Sequence, residues 1–297
     1  MKTSKLAAID IGSNAVRLLI NTIYDDGNKT TFNKTSLVRV PIRLGQDAFL
    51  NGNISKANEK RLLKAMKAFK LLMDVYQVED YSAFATSAMR ELAGNQEIVK
   101  KIKKQSDIEL QIIDGKKEGQ IIFATELKEY VHDENNYLYI DVGGGSTELT
   151  LLAYGKVVVT KSFPVGTVRW LNGKVGADFL KNEIRPWVKK QCNNINNIEL
   201  IGSGGNINHI FKQSGKKKGD PLSYAYLNKQ KKILSALDFD DRLTLYNMKP
   251  DRADVIIPAL EIYTNVMRYA KAKKIHVPKI GLADGMIQYQ YHHQRKK

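Results

Sequence analysis

The residues best equipped for chemistry lie between positions 137 and 152, in the stretch YLYIDVGGGSTELTLL. An apolar run ends at Asp141, three glycines follow at 143–145, and two hydroxyl residues at 146–147 lead to Glu148 and a second apolar run. Glycine permits positive φ and close approach of a ligand, so several backbone N–H groups can surround phosphate oxygens at such a turn. The flanking carboxylates are hard oxygen ligands of the kind that divalent cations prefer. An anion and a metal at one turn predict phosphoryl chemistry.

A plain β-hairpin, whose glycines only relieve turn strain, is the alternative interpretation of this stretch. Two-residue hairpin turns usually need one or two glycines, and the flanking acids and hydroxyls exceed what a turn requires. No Gly-Lys-Ser/Thr follows, which excludes a Walker loop, and the next segment is strand-like, which excludes a Rossmann turn that opens a helix. The residues therefore favour a phosphate-binding turn between two strands.

The same pattern occurs earlier in the chain. Residues 5–20 read KLAAIDIGSNAVRLLI, and a shift of 131 residues superposes Asp10 on Asp141. In this alignment Arg17 stands where the later copy has Glu148. A repeat separated by almost half the chain predicts two similar halves, each with a strand–turn–strand unit facing a shared cleft. Arg17 then serves the anion and Glu148 the metal.

Two further candidates lie between the two copies. Arg90 follows a predicted strand at 82–86, and an arginine just past the carboxyl end of a strand is placed to contact a ligand. Position alone leaves open whether it only caps the next helix. Glu118 lies in the first turn of a helix predicted over 116–130, where the helix dipole already stabilises a carboxylate. Each residue thus has a functional and a structural interpretation.

A third glycine turn, GSGGN at 202–206, joins a strand predicted over 198–201 to a helix starting at about 207. Backbone N–H groups at a helix N-terminus form a ready anion site. Gly204 and Gly205 are therefore added to the phosphate-binding candidates.

Length and composition limit the classes of protein that need to be considered. The 297 residues, 43% of them hydrophobic, predict two globular domains. The net charge of +16 favours acidic partners such as polyphosphate, nucleotides, nucleic acid or anionic lipid. No aromatic stacking motif supports nucleic acid, which is disfavoured. Because the sequence contains no apolar run of about 18 residues and no room for a signal peptide, we expect a cytoplasmic protein without membrane association.

Taken together, these motifs resemble the exopolyphosphatase and guanosine pentaphosphate phosphatase (Ppx/GppA) family, which belongs to the superfamily of actin, sugar kinases and heat-shock ATPases. The resemblance covers nearly the whole chain. The matching stretches, in the family's order, are DIGSNAVRL (10–18), ATSAMR (85–90), DGKKEGQIIF (114–123), DVGGGSTEL (141–149), GSGGN (202–206) and RADVIIP (252–258).

The resemblance implies an α/β fold with two similar actin-like (ribonuclease H-like) domains, whose mixed sheets flank a central cleft. We expect the first domain over residues 1–131, with the first phosphate motif and Glu118. The second covers 132–297, with the other two phosphate motifs, and its last helix is a candidate to pack back on the first domain. The length corresponds to the family's short, two-domain form, and a homodimer is left open.

The resemblance also implies roles for individual residues. Glu118 is expected to be the general base, and Arg90 to orient the phosphate chain. Asp141 and Glu148 are expected to hold Mg²⁺, with Mn²⁺ as the alternative ion and Asp10 as a further candidate ligand. The expected phosphate-binding residues are Ser13, Asn14, Arg17, Gly143, Gly144, Gly145, Ser146, Thr147, Gly204 and Gly205.

Three positions depart from the family pattern. Lys117 stands where many relatives carry a second acid, Ala15 replaces a common serine, and Ala283 replaces a common arginine. The sequence predicts an exopolyphosphatase that hydrolyses the terminal phosphoanhydride of inorganic polyphosphate. The alternatives are a guanosine pentaphosphate 5′-phosphohydrolase, or a weakly catalytic regulator that binds polyphosphate or nucleotide.

Overall fold

A computed structural model describes residues 1–123 and 135–294 of the chain. The chain divides into two compact units, one comprising Met1–Thr125 and Gly281–Lys297, the other Glu126–Ile280. The boundary predicted between 131 and 132 lies outside the described residues, as does the predicted continuation of the Glu118 helix from 124 to 130. None of the described helices has both the length and the apolar character needed to cross a membrane.

The first unit is built on a five-stranded mixed sheet in the order β3-β2-β1-β4-β5. Its strands are β1 (Lys2–Ile11), β2 (Val16–Asp25), β3 (Thr30–Val40), β4 (Asp80–Ala85) and β5 (Gln111–Ile112). Its helices are α1 (Leu44–Asn51), α2 (Lys56–Val75), α3 (Ser87–Glu91), α4 (Asn95–Ser106), α5 (Gly115–Phe123) and, from the end of the chain, α14 (Leu282–Gln294). β1 pairs antiparallel with β2 and parallel with β4, so its carboxyl half is buried as expected of a central strand.

The second unit contains a six-stranded mixed sheet in the order β10-β11-β9-β6-β7-β8. Its strands are β6 (Asn136–Val142), β7 (Thr147–Ala153), β8 (Lys156–Phe163), β9 (Ile198–Ser203), β10 (Leu222–Ser223) and β11 (Lys274–His276). Its helices are α6 (Thr167–Leu171), α7 (Ala177–Phe179), α8 (Arg185–Cys192), α9 (Gly205–Gln213), α10 (Tyr224–Ala236), α11 (Phe239–Thr244), α12 (Pro250–Ala253) and α13 (Ile256–Tyr269).

The predicted repeat is present in the topology of the two sheets. β6 pairs antiparallel with β7 and parallel with β9, as β1 does with β2 and β4. The register is also the same, since Asp10 faces Arg17 in one hairpin and Asp141 faces Glu148 in the other. The predicted α/β architecture of two similar, mixed-sheet domains is therefore confirmed.

Several predicted elements have different bounds in the structure. The alternation of apolar and polar residues over 30–44 predicts one strand, but β3 ends at Val40, because Pro41 has no N–H to continue the ladder. Leu44 instead begins helix α1, after Arg43 in the left-handed region at φ 62°. The sequence over 177–192 predicts a helix that Pro186 should kink or split. In the structure a π-helical turn, Leu180–Ile184, separates α7 from α8.

Helix α14 completes the core of the first unit, where it packs against β1, β2, β4 and α5. The buried hydroxyl of Tyr291 donates a hydrogen bond to Asp25 Oδ2 at 2.7 Å. Nearer the start of the helix, Lys34 Nζ of β3 lies 2.7 Å from Asp284 Oδ1. These contacts fasten α14 to the hairpin that carries the first glycine turn.

We expect Tyr291→Phe to lower the free energy of unfolding by about 1–3 kcal/mol, because a buried carboxylate loses one of its hydrogen-bond donors. Tyr24→Phe, at a half-buried residue next to Asp25, is the matched control and should change stability by less than about 0.5 kcal/mol. Urea unfolding measures both variants. Equal stability losses in the two would contradict a specific contribution from the Tyr291 hydroxyl.

Candidate active site

The two hairpins turn in the same way. Gly12 N–H donates to Ala15 O at 3.1 Å, and Gly143 N–H donates to Ser146 O at 3.0 Å. In each case the turn lies where the central strand of its sheet ends. The structure therefore gives the predicted phosphate motifs one shared backbone geometry.

The carbonyls of the turns are engaged by the segment that follows the third strand. In the first unit, Ser13 O accepts from Gly45 N–H at 2.7 Å. In the second, Gly144 O accepts from Val168 N–H at 2.8 Å and Gly145 O from Arg169 Nε at 2.9 Å. Within the described residues, the N–H groups of Gly144 and Gly145 meet no protein acceptor. Donors without a protein partner beside engaged carbonyls form an arrangement that suits an anion.

Gly166 is needed for this packing. A Cβ atom at Gly166 would lie 2.4 Å from Gly144 C and 2.5 Å from Gly145 N, closer than real Cβ contacts allow. The backbone of the loop before α6 therefore supports the glycine turn directly, and no side chain intervenes.

Asp141 and Glu148 lie side by side. They face each other across the β6–β7 ladder, so their side chains project from the same face of the sheet. Glu148 is 1% exposed and accepts a hydrogen bond from Ser162 Oγ of β8 at 2.8 Å. The pair is positioned by strand register, which is rigid compared with a loop.

This pair fits a magnesium ion in its donor chemistry. The described residues contain no cluster of three or more His, Cys, Asp or Glu side chains that could hold an ion. Mg²⁺ usually keeps several waters and binds through one or two carboxylates together with substrate phosphates. The two adjacent carboxylates beside the glycine turn therefore match what a protein usually contributes to such an ion.

The first unit differs at the corresponding positions. Asp10 is 3% exposed, and its Oδ2 forms an ion pair with Arg17 Nη1 at 2.6 Å. Its charge is thus balanced by a neighbouring cation. The expected roles of Asp10 as a metal ligand and of Arg17 as an anion contact remain predictions.

The structure brings Arg90 and Glu118 together within the first unit. Helix α5 begins with a cap, in which Lys117 N–H donates to Asp114 Oδ1 at 2.7 Å. Glu118 is 9% exposed, and its Oε2 lies 3.9 Å from Arg90 Nη1. Arg90 Nη1 also donates to Ile113 O at 2.5 Å. This geometry is compatible with the expected roles of Glu118 as proton acceptor and Arg90 as phosphate contact, which remain predictions.

The first glycine turn is also linked to the helix of Arg90. The buried hydroxyls of Ser13 and Ser87 are 2.9 Å apart, and Ser87 is the first residue of α3. Sequence reasoning assigned no role to Ser87. The hydrogen bond connects the first glycine turn to the helix that carries Arg90.

The third glycine turn lies against the end of β6. Gly204 has φ +117°, and a Cβ there would lie 3.0 Å from Val142 O and 3.4 Å from Asp141 Oδ1. Beneath the turn, the buried hydroxyl of Tyr263 donates to Ser203 O. Burial, together with the charge of Asp141, raises the pKa of Tyr263, so its hydroxyl stays protonated as a donor.

Arg252 is a further cation of the site that the motifs did not reveal. A Cβ on Gly205 would be 2.7 Å from Arg252 Nη2, so the guanidinium lies on the N-terminus of α9. Its Nη1 donates to Asn206 Oδ1 at 3.3 Å. The stretch RADVIIP pointed to this region, but no local pattern relates it to residues more than forty positions earlier. A guanidinium at a helix N-terminus strengthens the local attraction for anions.

The two mixed sheets, each with a glycine turn at the end of its central strand, define an α/β protein of two similar domains. The Ppx/GppA phosphatase family model matches residues 23–294, and the chain belongs to this family. The bifunctional 3-dehydroquinate synthase/phosphatase of Fusobacterium nucleatum is 29% identical over 296 residues, which cover 89% of this chain and 43% of that protein.

Exopolyphosphatase 1 of Mycobacterium tuberculosis is 27% identical over 165 residues, 56% of this chain and 47% of that protein. The chain thus spans less than half the length of these two relatives. A crystal structure of an exopolyphosphatase from Cytophaga hutchinsonii has a TM-score of 0.87 at 23% identity, with 98% of each chain covered. This likeness supports the fold.

His209 of α9 predicts a pH dependence of stability. Burial of the ring, with the charges of Arg252 and Lys212, lowers its pKa from 6.5 to about 4. The unfolded chain therefore binds more protons than the folded one between these values, and stability falls as pH falls through the window. Above about pH 6.5 both states are neutral at this residue, so its contribution is constant.

His209→Gln should flatten the decline in stability between pH 6.5 and 4. Asn208→Gln on the same helix provides a control, since it changes no titratable group and should retain the wild-type slope. Urea midpoints at several pH values measure all three proteins. A slope in His209→Gln as steep as in the wild type would contradict the lowered pKa.

Proposed function

We propose that the chain is a metal-dependent phosphoanhydride hydrolase that removes the terminal phosphate of inorganic polyphosphate. The observation that carries the proposal is the Asp141–Glu148 pair beside the N–H groups of Gly144 and Gly145. Anion donors and metal-binding carboxylates at one turn are what phosphoryl transfer requires, because this chemistry depends on positioning and charge stabilisation. Membership of a phosphatase family supports the same reaction class.

In this proposal Glu118 accepts a proton from a water molecule aligned with the terminal phosphorus. General-base assistance of this kind contributes about 10²–10⁴-fold in rate. Arg90 orients the phosphate chain, and the N–H groups of Gly144 and Gly145 stabilise charge on the phosphate oxygens. Mg²⁺ held by Asp141 and Glu148, with Mn²⁺ as the alternative, would supply further neutralisation of the phosphate charge.

Polyphosphate is the preferred substrate because of the charge of the protein. The chain carries a net charge of +16, and α2 exposes a lysine row consisting of Lys56, Lys60, Lys64 and Lys67. Residues at this spacing share one helix face, so their charges act together on a long polyanion. The mycobacterial relative named exopolyphosphatase supports this choice.

Guanosine pentaphosphate remains the alternative substrate, since its 5′-triphosphate offers the same terminal linkage. A weakly catalytic regulator remains the alternative from another class, because Lys117 and Ala15 depart from the family pattern. Phosphate release from long polyphosphate, guanosine pentaphosphate and ATP distinguishes the three possibilities. A regulator would bind one of these compounds but release little phosphate from it.

Glu118→Gln should reduce phosphate release from polyphosphate by about 10²-fold or more and leave polyphosphate binding nearly unchanged, because the amide cannot accept the proton. Glu97→Gln is a matched control, since Glu97 is an exposed carboxylate in the first turn of α4. Malachite-green phosphate detection and a filter-binding assay measure the two properties. Full activity in Glu118→Gln would place the base elsewhere.

The salt dependence of kcat/KM should differ between long polyphosphate and tripolyphosphate. If the lysine row steers long chains, kcat/KM for long polyphosphate should fall steeply with salt, because the screening length is about 10 Å at 0.1 M. Tripolyphosphate reaches few surface lysines, so its slope should be shallower. Lys60→Gln combined with Lys64→Gln should lower only the slope for long chains. Equal slopes for both substrates would mean that these lysines are a solvated surface without a steering role.

A further inference from the structure

Lys117, the residue just before the proposed base, is held by the C-terminal helix. Its Nζ donates to the hydroxyl of Tyr289 at 3.1 Å and lies 4.4 Å from the centroid of the same ring. The ammonium group therefore makes a hydrogen bond and a cation–π contact with a single side chain. The cation–π contact requires a cation, so an acid at position 117 could accept a hydrogen bond from the hydroxyl but could not make the contact with the ring.

A second contact joins the same two helices one turn away. A Cβ on Gly285 of α14 would lie 2.5 Å from Ile121 O of α5, so the two backbones are in direct contact there. Lys117 and Ile121 are four residues apart on α5, and Gly285 and Tyr289 are four apart on α14. Residues at this spacing share one helix face. The pairs 117–289 and 121–285 thus form one antiparallel seam between α5 and α14.

The far side of the seam is anchored. The ring of Tyr289 stacks on His293, with centroids 3.8 Å apart at 29°. α14 itself is fixed to β2 and β3 by the Tyr291–Asp25 hydrogen bond and the Lys34–Asp284 ion pair. Tyr289 is therefore a stable attachment point for α5.

The attachment bears on the direction of Glu118, because Lys117 and Glu118 are neighbours in the first turn of helix α5. Adjacent residues of a helix point about 100° apart, so fixing Lys117 fixes the direction in which Glu118 points. Rotation of the helix would change the 3.9 Å approach of Glu118 to Arg90.

We infer that Lys117 and Tyr289 are positioning residues for Glu118, through a seam that sets the rotation of α5. The inference rests on the proposed function, because it assumes that Glu118 is the base. Lys117, which departs from the family pattern, then has a structural role, because its ammonium group fastens helix α5 to α14. Misplacement of a catalytic group by about 1 Å can cost up to about 10²-fold in rate, so loss of the seam should lower kcat more than it changes KM.

Three variants test the inference with two readouts. Tyr289→Leu removes the attachment but keeps the charge of Lys117, Lys117→Met removes both, and Tyr289→Phe keeps the ring but removes the hydroxyl. Lys161→Met is the matched control, because it removes a lysine 4.7 Å from the Phe163 ring in the second unit. The readouts are kcat and KM with tripolyphosphate, and hydrogen exchange of the amides of residues 115–123.

Tyr289→Leu and Lys117→Met should lower kcat by similar factors, about 5–20-fold, with KM changed less than about 2-fold. Both should speed hydrogen exchange in 115–123, and their double mutant should be no worse than the poorer single variant. Tyr289→Phe should lie between these variants and the wild type, and Lys161→Met should match the wild type in both readouts.

If Lys117→Met lost activity and Tyr289→Leu did not, the charge of Lys117 would matter and its attachment to Tyr289 would not. That result would overturn the inference. Faster exchange with unchanged kcat would leave the seam a structural contact only, and would also overturn it. A wild-type protein that releases no phosphate would reject the proposed function. Exchange unchanged in both variants would instead reject the seam while leaving the hydrolase proposal intact.

Discussion

The register between the first two strands of each sheet is the constraint on which the site depends. In the second unit it places Asp141 opposite Glu148 and closes the turn with the Gly143–Ser146 hydrogen bond. A slip of β7 by one residue would turn Glu148 to the other face of the sheet, away from Asp141. Register is well specified here, because β6 and β7 are almost completely buried. The buried core therefore determines where the carboxylates of Asp141 and Glu148 lie.

The same strand register pairs residues of different charge in the two units. In the first unit the cross-strand pair is Asp10 with Arg17, an ion pair that is satisfied within the protein. In the second unit both members are acids, and like charges directly opposite each other destabilise a ladder. A divalent cation shared by the two carboxylates would remove this repulsion. One repeated backbone unit thus supplies an arginine in one copy and a candidate metal ligand in the other.

The sequence predicted the parts of the fold and the site that depend on local patterns. The repeat, the three glycine turns and the apolar stripe of α2 follow from spacing and glycine chemistry alone. Of the residues whose spacing predicts that stripe, Tyr76 is half-buried and the others are buried: Leu62, Met66, Phe69 and Met73. Ser162 and Tyr263 were not predicted, because their roles depend on contacts with residues 14 and 60 positions away. Helix α1 was missed because strand-like residues precede it, and Pro41 ends the strand without any helix signal. Lys117 was recognised as a departure, but its contact with Tyr289 joins segments 172 positions apart.

Phosphate release from tripolyphosphate across a magnesium titration tests the central claim most directly. It should be run on the wild type, Asp141→Asn and Glu148→Gln. The account predicts that wild-type hydrolysis requires magnesium, and that each variant needs about 10-fold or more magnesium for half-maximal rate, because a carboxylate ligand is lost. Hydrolysis at full rate in chelator, or an unchanged magnesium dependence in both variants, would contradict it.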